Sequence, residues 1–168
     1  MNKKQESNAF IKECITQALL KLMNKKSITN ISVTELVKQA GVARVSFYRN
    51  FASKEDVIEQ RLIALIREWG GEFERKGDPS LFAQTLLEHF YKHKGFYLLL
   101  YKHNMSSMIY ENIRGACRID LAHSSLERYG KAMFAGGIFG WLDEWMRQGM
   151  PESPDEIAFL SKQLNVVK

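Results

Sequence analysis

The chain has 168 residues, 45% apolar and 26% charged; that is enough to bury a core without disulfide staples, too short for a nucleotide-binding α/β domain beside a substrate domain, and too weakly charged for a disordered chain. Cys14 and Cys117 make no disulfide framework and fit a reducing compartment, and the polar start from Met1 to Asn8 is no signal peptide. The longest apolar run, Phe96 to Tyr101, falls far short of the roughly 20 residues that span a membrane, so a cytoplasmic protein without membrane contact is expected.

The net charge of +5 is unevenly spread. Residues 1–54 hold ten Lys/Arg and three acidic residues, or +7, and residues 55–168 come to −2. A basic module on a near-neutral body suits a polyanionic partner; a solvated basic surface has the same charge.

In chain order, Phe10, Ile11, Cys14, Ile15, Ala18, Leu19, Leu22 and Met23 recur at spacings of three and four, which predicts an amphipathic helix from about 8 to 24. Ser32-Val33-Thr34-Glu35 is a capping box that opens a short helix, and Gly41 closes it in a left-handed conformation. A second short helix follows over about 43–50. Ser53-Lys54-Glu55-Asp56 caps a long helix that carries Val57, Ile58, Leu62, Leu65, Ile66, Trp69 and Phe73. After the loop at 76–80, helices are expected over about 80–93, 95–103, 105–118 and 124–148. Gly149 and Pro151 stop the last of these, and the capping box Ser153-Pro154-Asp155-Glu156 opens a final helix with Ile157, Leu160 and Leu164. No segment alternates like a strand, so the fold class is all-α.

Two short helices joined by a glycine turn, after an amphipathic helix, form a helix-turn-helix arrangement over about 32–51. Leu36, Val37, Ala40, Phe47 and Phe51 read as its inner side. Arg44, Ser46, Arg49 and Asn50 then point outward on a helix that fits the DNA major groove, and the Tyr48 hydroxyl suits a phosphate oxygen.

The runs Ser32-Val33-Thr34-Glu35-Leu36-Val37-Lys38-Gln39-Ala40-Gly41-Val42, Ser46-Phe47-Tyr48-Arg49-Asn50-Phe51 and Ser53-Lys54-Glu55 resemble the DNA-binding domain of the tetracycline-repressor (TetR) family over residues 8–68. Asn50 departs from the His that most members carry there. The resemblance implies a helix-turn-helix domain joined by a long fourth helix to a ligand-binding and dimerisation domain over 69–168. It further implies a homodimer on a palindromic double-stranded operator, with Arg44 and Ser46 near bases, Thr34, Tyr48, Asn50 and Lys54 on phosphates, and Phe47 and Arg49 at either. A ligand-responsive repressor is the expected function. The alternatives are an activator of the same family, and a protein-interaction module on the same fold with DNA binding lost.

The segment from Lys131 to Leu164, with Gly136-Gly137, Phe139-Gly140, Trp141, Trp145 and Gly149-Met150-Pro151, resembles the C-terminal region of small TetR-type regulators. There the last two helices pair with their mates. The resemblance places Phe134, Ile138, Trp141, Trp145, Leu160 and Leu164 at a dimer interface; an intrachain core is the other reading of the tryptophans. In the middle helices Phe82, Leu86, Phe90, Tyr97, Tyr101, Met105 and Met108 either line a pocket for an unknown small-molecule effector or fill a core. His89 and His93 share a helix face, but no third ligand is fixed by spacing, so no metal is expected. Cys14 reads as core and Cys117 as a possible oxidant sensor only if its pKa is low. No Gly-rich phosphate loop and no Gly-x-Ser-x-Gly elbow occurs; neither catalysis nor a cofactor is expected.

Overall fold

Serine caps set where the helices begin. In the computed structural model, which describes residues 3–164, the Glu35 N–H donates to Ser32 Oγ at 3.1 Å and opens α2 (Val33–Ala40). The reciprocal half of the expected box does not form. The Glu35 carboxylate turns instead to the Lys26 ammonium, 2.6 Å away, because a full positive charge outcompetes a backbone N–H. At Ser153 both halves form: the Ser153 N–H donates to Glu156 at 2.8 Å, and the Glu156 N–H to Ser153 Oγ at 3.3 Å. That box opens α9 (Pro154–Leu164). A cap not singled out in the sequence, Ser124 accepting from the Glu127 N–H, opens α8 (Ser125–Arg147).

The other helices are α1 (Lys3–Met23), α3 (Arg44–Asn50), α4 (Lys54–Lys76), α5 (Phe82–Lys92), α6 (Lys94–Lys102) and α7 (Ser106–Ala116). Short 3-10 turns at Ile28–Asn30, Pro79–Leu81 and Ile119–Leu121 went unmarked in the periodicity. Helix α1 starts ahead of the expected residue 8. Its apolar stripe begins only at Phe10, but Lys, Gln and Glu propagate a helix well without one. Gly41 closes α2 at φ +68° as expected. No helix among the described residues is long and apolar enough to cross a membrane.

The chain divides into two compact units, residues 1–63 and 64–168. The division falls inside α4. In the first unit, α1 packs on α2 and α3, and Ile15, Leu19, Met23, Leu36, Phe47, Ile58 and Leu62 are fully buried. Cys14 is half-buried on the α1 stripe.

In the second unit, α8 packs against α6 and α7, and α5 against α6 and α9. Phe90 and Tyr97 stack at 4.3 Å in its core. His89 is buried beside them, its Nε2 3.1 Å from the Tyr97 hydroxyl. Burial pushes its imidazole from 6.5 down to about 4; His93 and Lys92 act in the same direction and Glu68 opposes them.

The neutral ring is therefore the folded form. As pH falls from 6.5 toward 4, the unfolded chain takes up a proton that the folded chain refuses, and stability is lost through that window. The contribution of His89 is at most about 1.4 kcal/mol per pH unit. Urea unfolding at pH 7 and pH 5 will show a larger loss of stability for the wild type than for His89→Gln. Equal losses would place the acid sensitivity elsewhere.

Candidate nucleic-acid interface

Helix α3 has seven residues, too few to hold itself together in water. Tertiary anchors hold it. Phe47 is fully buried and Phe51 nearly so, with their rings 6.0 Å apart. At the C-terminal end Gln60 of α4 donates to the Asn50 carbonyl at 3.1 Å and to the Asp56 carboxylate at 3.2 Å, while accepting from Lys12 of α1 at 2.9 Å. Asp56 in turn accepts from the Ala52 N–H at 2.8 Å. The rotation of α3 about its own axis is thus fixed from two sides.

With Phe47 inward, Arg44, Val45, Tyr48 and Arg49 are exposed. At about 100° per residue they cover one continuous arc, Arg44 and Arg49 at its edges and Tyr48 and Val45 between. Arg44 lies across the joint with α2. Its guanidinium donates to Thr34 Oγ1 at 3.4 Å and to the Tyr48 hydroxyl at 3.3 Å, and sits 5.6 Å from the Tyr48 ring centroid. Both bonds are long, and all three residues are exposed, so water or phosphate replaces them at small cost. Three of the residues expected at DNA are brought together here.

The other expected residues are placed differently. Phe47 is a core anchor with no exposed surface, which corrects its assignment to the DNA face: the i, i+4 pair with Phe51 needs it inside. Ser46 and Asn50 are half-buried at the side of the arc, and the Asn50 amide donates to the Ser46 carbonyl at 2.8 Å. Asn50 thus belongs to the clasp at the end of α3. Lys54 Nζ donates to the carbonyls of Ile28 and Ile31, both at 2.6 Å. It ties the turn between α1 and α2 to the start of α4, with two of its three donors engaged before any phosphate arrives. Val45 was missed: an inward Phe47 and Phe51 already turn it outward, but the outward residues of α3 were chosen by their polarity.

A family model for bacterial regulatory proteins of the TetR family matches residues 15–60, and one for a transcriptional regulator C-terminal region matches residues 77–165. The chain belongs to the TetR family. It is a DNA-binding transcriptional regulator. The crystal structure of Lin0861 from Listeria innocua shares its fold, with a TM-score of 0.79 at 16% identity over 100% of this chain and 96% of that one. No curated protein matches the sequence.

In this TetR-family chain the aromatic residues expected around an effector cavity pack on one another. Phe90 and Tyr97 stack in the core with Leu86 and Met105 also buried, and Met108 is half-buried. Phe82 belongs to a separate cluster with Trp69, Phe73 and Phe134, its ring 5.3–5.7 Å from theirs. The Tyr101 hydroxyl donates to Asp143 at 2.5 Å, and Arg147 holds the other carboxylate oxygen at 2.6 Å. These aromatic residues thus fall into three separate contacts: the Phe90–Tyr97 stack, the cluster around Phe82, and the Tyr101–Asp143–Arg147 chain. A cleft of about 120 Å³ does open on the second unit, but its walls are Glu72, Lys76, Thr85, Glu88, His89 and Lys92.

Of the residues expected between protomers, Trp145 is corrected. It is 3% exposed and stacks on Tyr91 at 6.0 Å, so it belongs to the core of its own chain. Phe134 and Leu160 are exposed, Ile138 and Trp141 half-buried, and the Leu164 side chain lies outside the described residues. Among the described residues no third ligand joins His89 and His93 in a metal-binding cluster. Burial pushes the Cys117 thiol up, the opposite of what an oxidant sensor needs.

Lys54 makes the sharpest contrast between a surface contact and a structural one. Lys54→Met leaves two partly buried carbonyls without their charged donor and will cost about 1.5–3 kcal/mol of stability in urea unfolding of the full chain. A change under a few tenths of a kcal/mol would mean that water satisfies those carbonyls equally well.

Proposed function

We propose that this regulator is a homodimeric repressor that occupies a two-fold symmetric operator and is released by a small molecule. The observation that carries the DNA half is the outward arc of α3, with Arg44, Tyr48 and Arg49 side by side on a helix locked from behind by Phe47. A helix fits the major groove, about 12 Å wide, and the forked guanidinium of Arg44 matches O6 and N7 of guanine. The hydroxyls of Thr34 and Tyr48 suit flanking phosphates, and Arg49 reaches either a base or a phosphate. Ser46 reaches the edge of the same groove, and the third donor of Lys54 faces the backbone. Repression follows from occupancy, since a seated dimer excludes other proteins from the same duplex.

The second copy is argued from α8. Leu126, Tyr129, Met133 and Phe134 expose 85%, 74%, 78% and 52% of their surface, and on α9 Phe159 and Leu160 are also exposed. So much apolar surface on two helices suits a partner more than water. Gly136, Gly137 and Gly140 lie mid-helix, where glycine costs about 0.5–1 kcal/mol relative to alanine. A Cβ at any of them meets nothing within 4 Å in the chain. Packing within the protomer does not require them; close approach of a second α8 does.

Release by a ligand requires the second unit to change. The cleft walled by Glu72, Lys76, Thr85, Glu88, His89 and Lys92, about 120 Å³, is by itself well below the roughly 300 Å³ at which ordinary ligand pockets begin. An effector that parts the Phe90–Tyr97 stack or the cluster around Phe82 would change the unit, and it acts only by binding the released state better than the bound one.

Selection from a random duplex pool will return a sequence with two-fold symmetry, its half-site centres roughly 34–36 Å apart. Arg44→Ala will weaken that sequence by about 1–3 kcal/mol while changing random DNA less; equal losses on both would remove Arg44 from base reading. Met133→Glu, at a residue 78% exposed, will leave the fold intact and give a monomer by sedimentation velocity at micromolar concentration. A variant that still sediments as a dimer would move the interface off this face of α8.

A further inference from the structure

Val45 is 55% exposed and lies within the outward arc of α3, with Arg44 and Tyr48 on one side and Arg49 on the other. A single exposed valine is ordinary. Its place is not. Valine lowers helix propensity because its branched side chain loses χ1 freedom against the preceding turn, and α3 is short enough for that to matter. Phe47, Phe51 and the Gln60 clasp fix the rotation of α3, so Val45 has no way to turn inward. Local helix stability and core packing both leave it unexplained.

We propose that Val45 reads the C5-methyl group of a thymine in each half-site. The inference rests on α3 being the helix that enters the major groove. The edges of the bases in that groove carry hydrogen-bond donors and acceptors, with one apolar group among them, the thymine methyl. Valine can satisfy no donor or acceptor. Against the N4 amino group of cytosine, or N6 and N7 of adenine, it strips water from a polar atom and gives nothing back. Against the thymine methyl, both partners lose water-exposed apolar surface. The same residue thus attracts one base and penalises the others, and discrimination needs both. Arg44 and Arg49 at the edges of the arc supply polar and charged contacts; Val45 supplies the apolar one between them.

The test begins with the sequence that the full chain selects from a random duplex pool. Each thymine is then replaced by deoxyuridine, which removes only the C5-methyl group, and affinity is read by fluorescence anisotropy for the wild type, Val45→Ala and Arg44→Ala. For the wild type, one uracil position per half-site will weaken binding about fourfold, the equivalent of one buried methyl group. Val45→Ala will bind the thymine and uracil duplexes alike at that position, and Arg44→Ala will keep the wild-type sensitivity. A circular-dichroism melt checks that Val45→Ala is folded, as expected for an exposed residue replaced by a better helix former. A selected sequence in which no uracil effect disappears with Val45→Ala overturns the role of Val45 and leaves DNA binding standing. Failure to select any duplex overturns both.

Discussion

The ring of Phe47, fully buried against Phe51 and the first unit, is the constraint on which the reading surface depends. Seven residues do not make a helix stable in water, whereas burying a phenylalanine contributes about 1.5–3 kcal/mol. The same contact that makes α3 a helix also sets its rotation. Once Phe47 points inward, helical geometry alone decides that Arg44, Val45, Tyr48 and Arg49 point outward and that Ser46 and Asn50 fall to the side. Fold and specificity are the two faces of one packing decision.

Around that anchor the polar side chains divide their labour. Lys54 spends its charge on the carbonyls of Ile28 and Ile31, and Gln60 links Lys12, Asp56 and the Asn50 carbonyl. These bonds join segments far apart in sequence, from α1, the turn after it, α3 and α4. They make the module rigid before it meets DNA, which lowers the ordering cost of binding. Arg44 is held more loosely by Thr34 and Tyr48. It is kept near its working position by contacts weak enough to exchange.

In the second unit α8 shows how one helix serves two purposes. Ala135, Leu142, Trp145 and Met146 are buried within the chain, while Leu126, Tyr129 and Met133 face outward. The inner row holds the unit together. The outer row, with glycines that the chain's own packing leaves unused, is the surface on which the proposed second copy would pack. Deeper in the unit Phe90 and Tyr97 stack at 4.3 Å, with His89 buried beside them.

The amino-acid sequence alone determined the all-α class, nearly every helix, the caps at Ser32, Ser53 and Ser153, the left-handed stop at Gly41 and the family, because these rest on local chemistry: side chains a few residues apart, φ preferences, and apolar spacing near 3.6. It also marked Thr34, Arg44 and Tyr48, whose polarity is visible without a structure. The sequence spacing already put Phe47 inward, and the structure removed only its DNA contact; the tertiary structure alone decided the roles of Lys54 and Trp145 and showed the exposure of Val45. Lys54 has the same charge whether it meets a phosphate or two carbonyls more than twenty residues away. Trp145 suits an interface as well as a core until Tyr91 is seen stacked on it. Val45, an apolar residue, drew no notice in the sequence until its 55% exposure was seen. In each case the residue type permits two environments, and the choice between them is made by partners elsewhere in the fold.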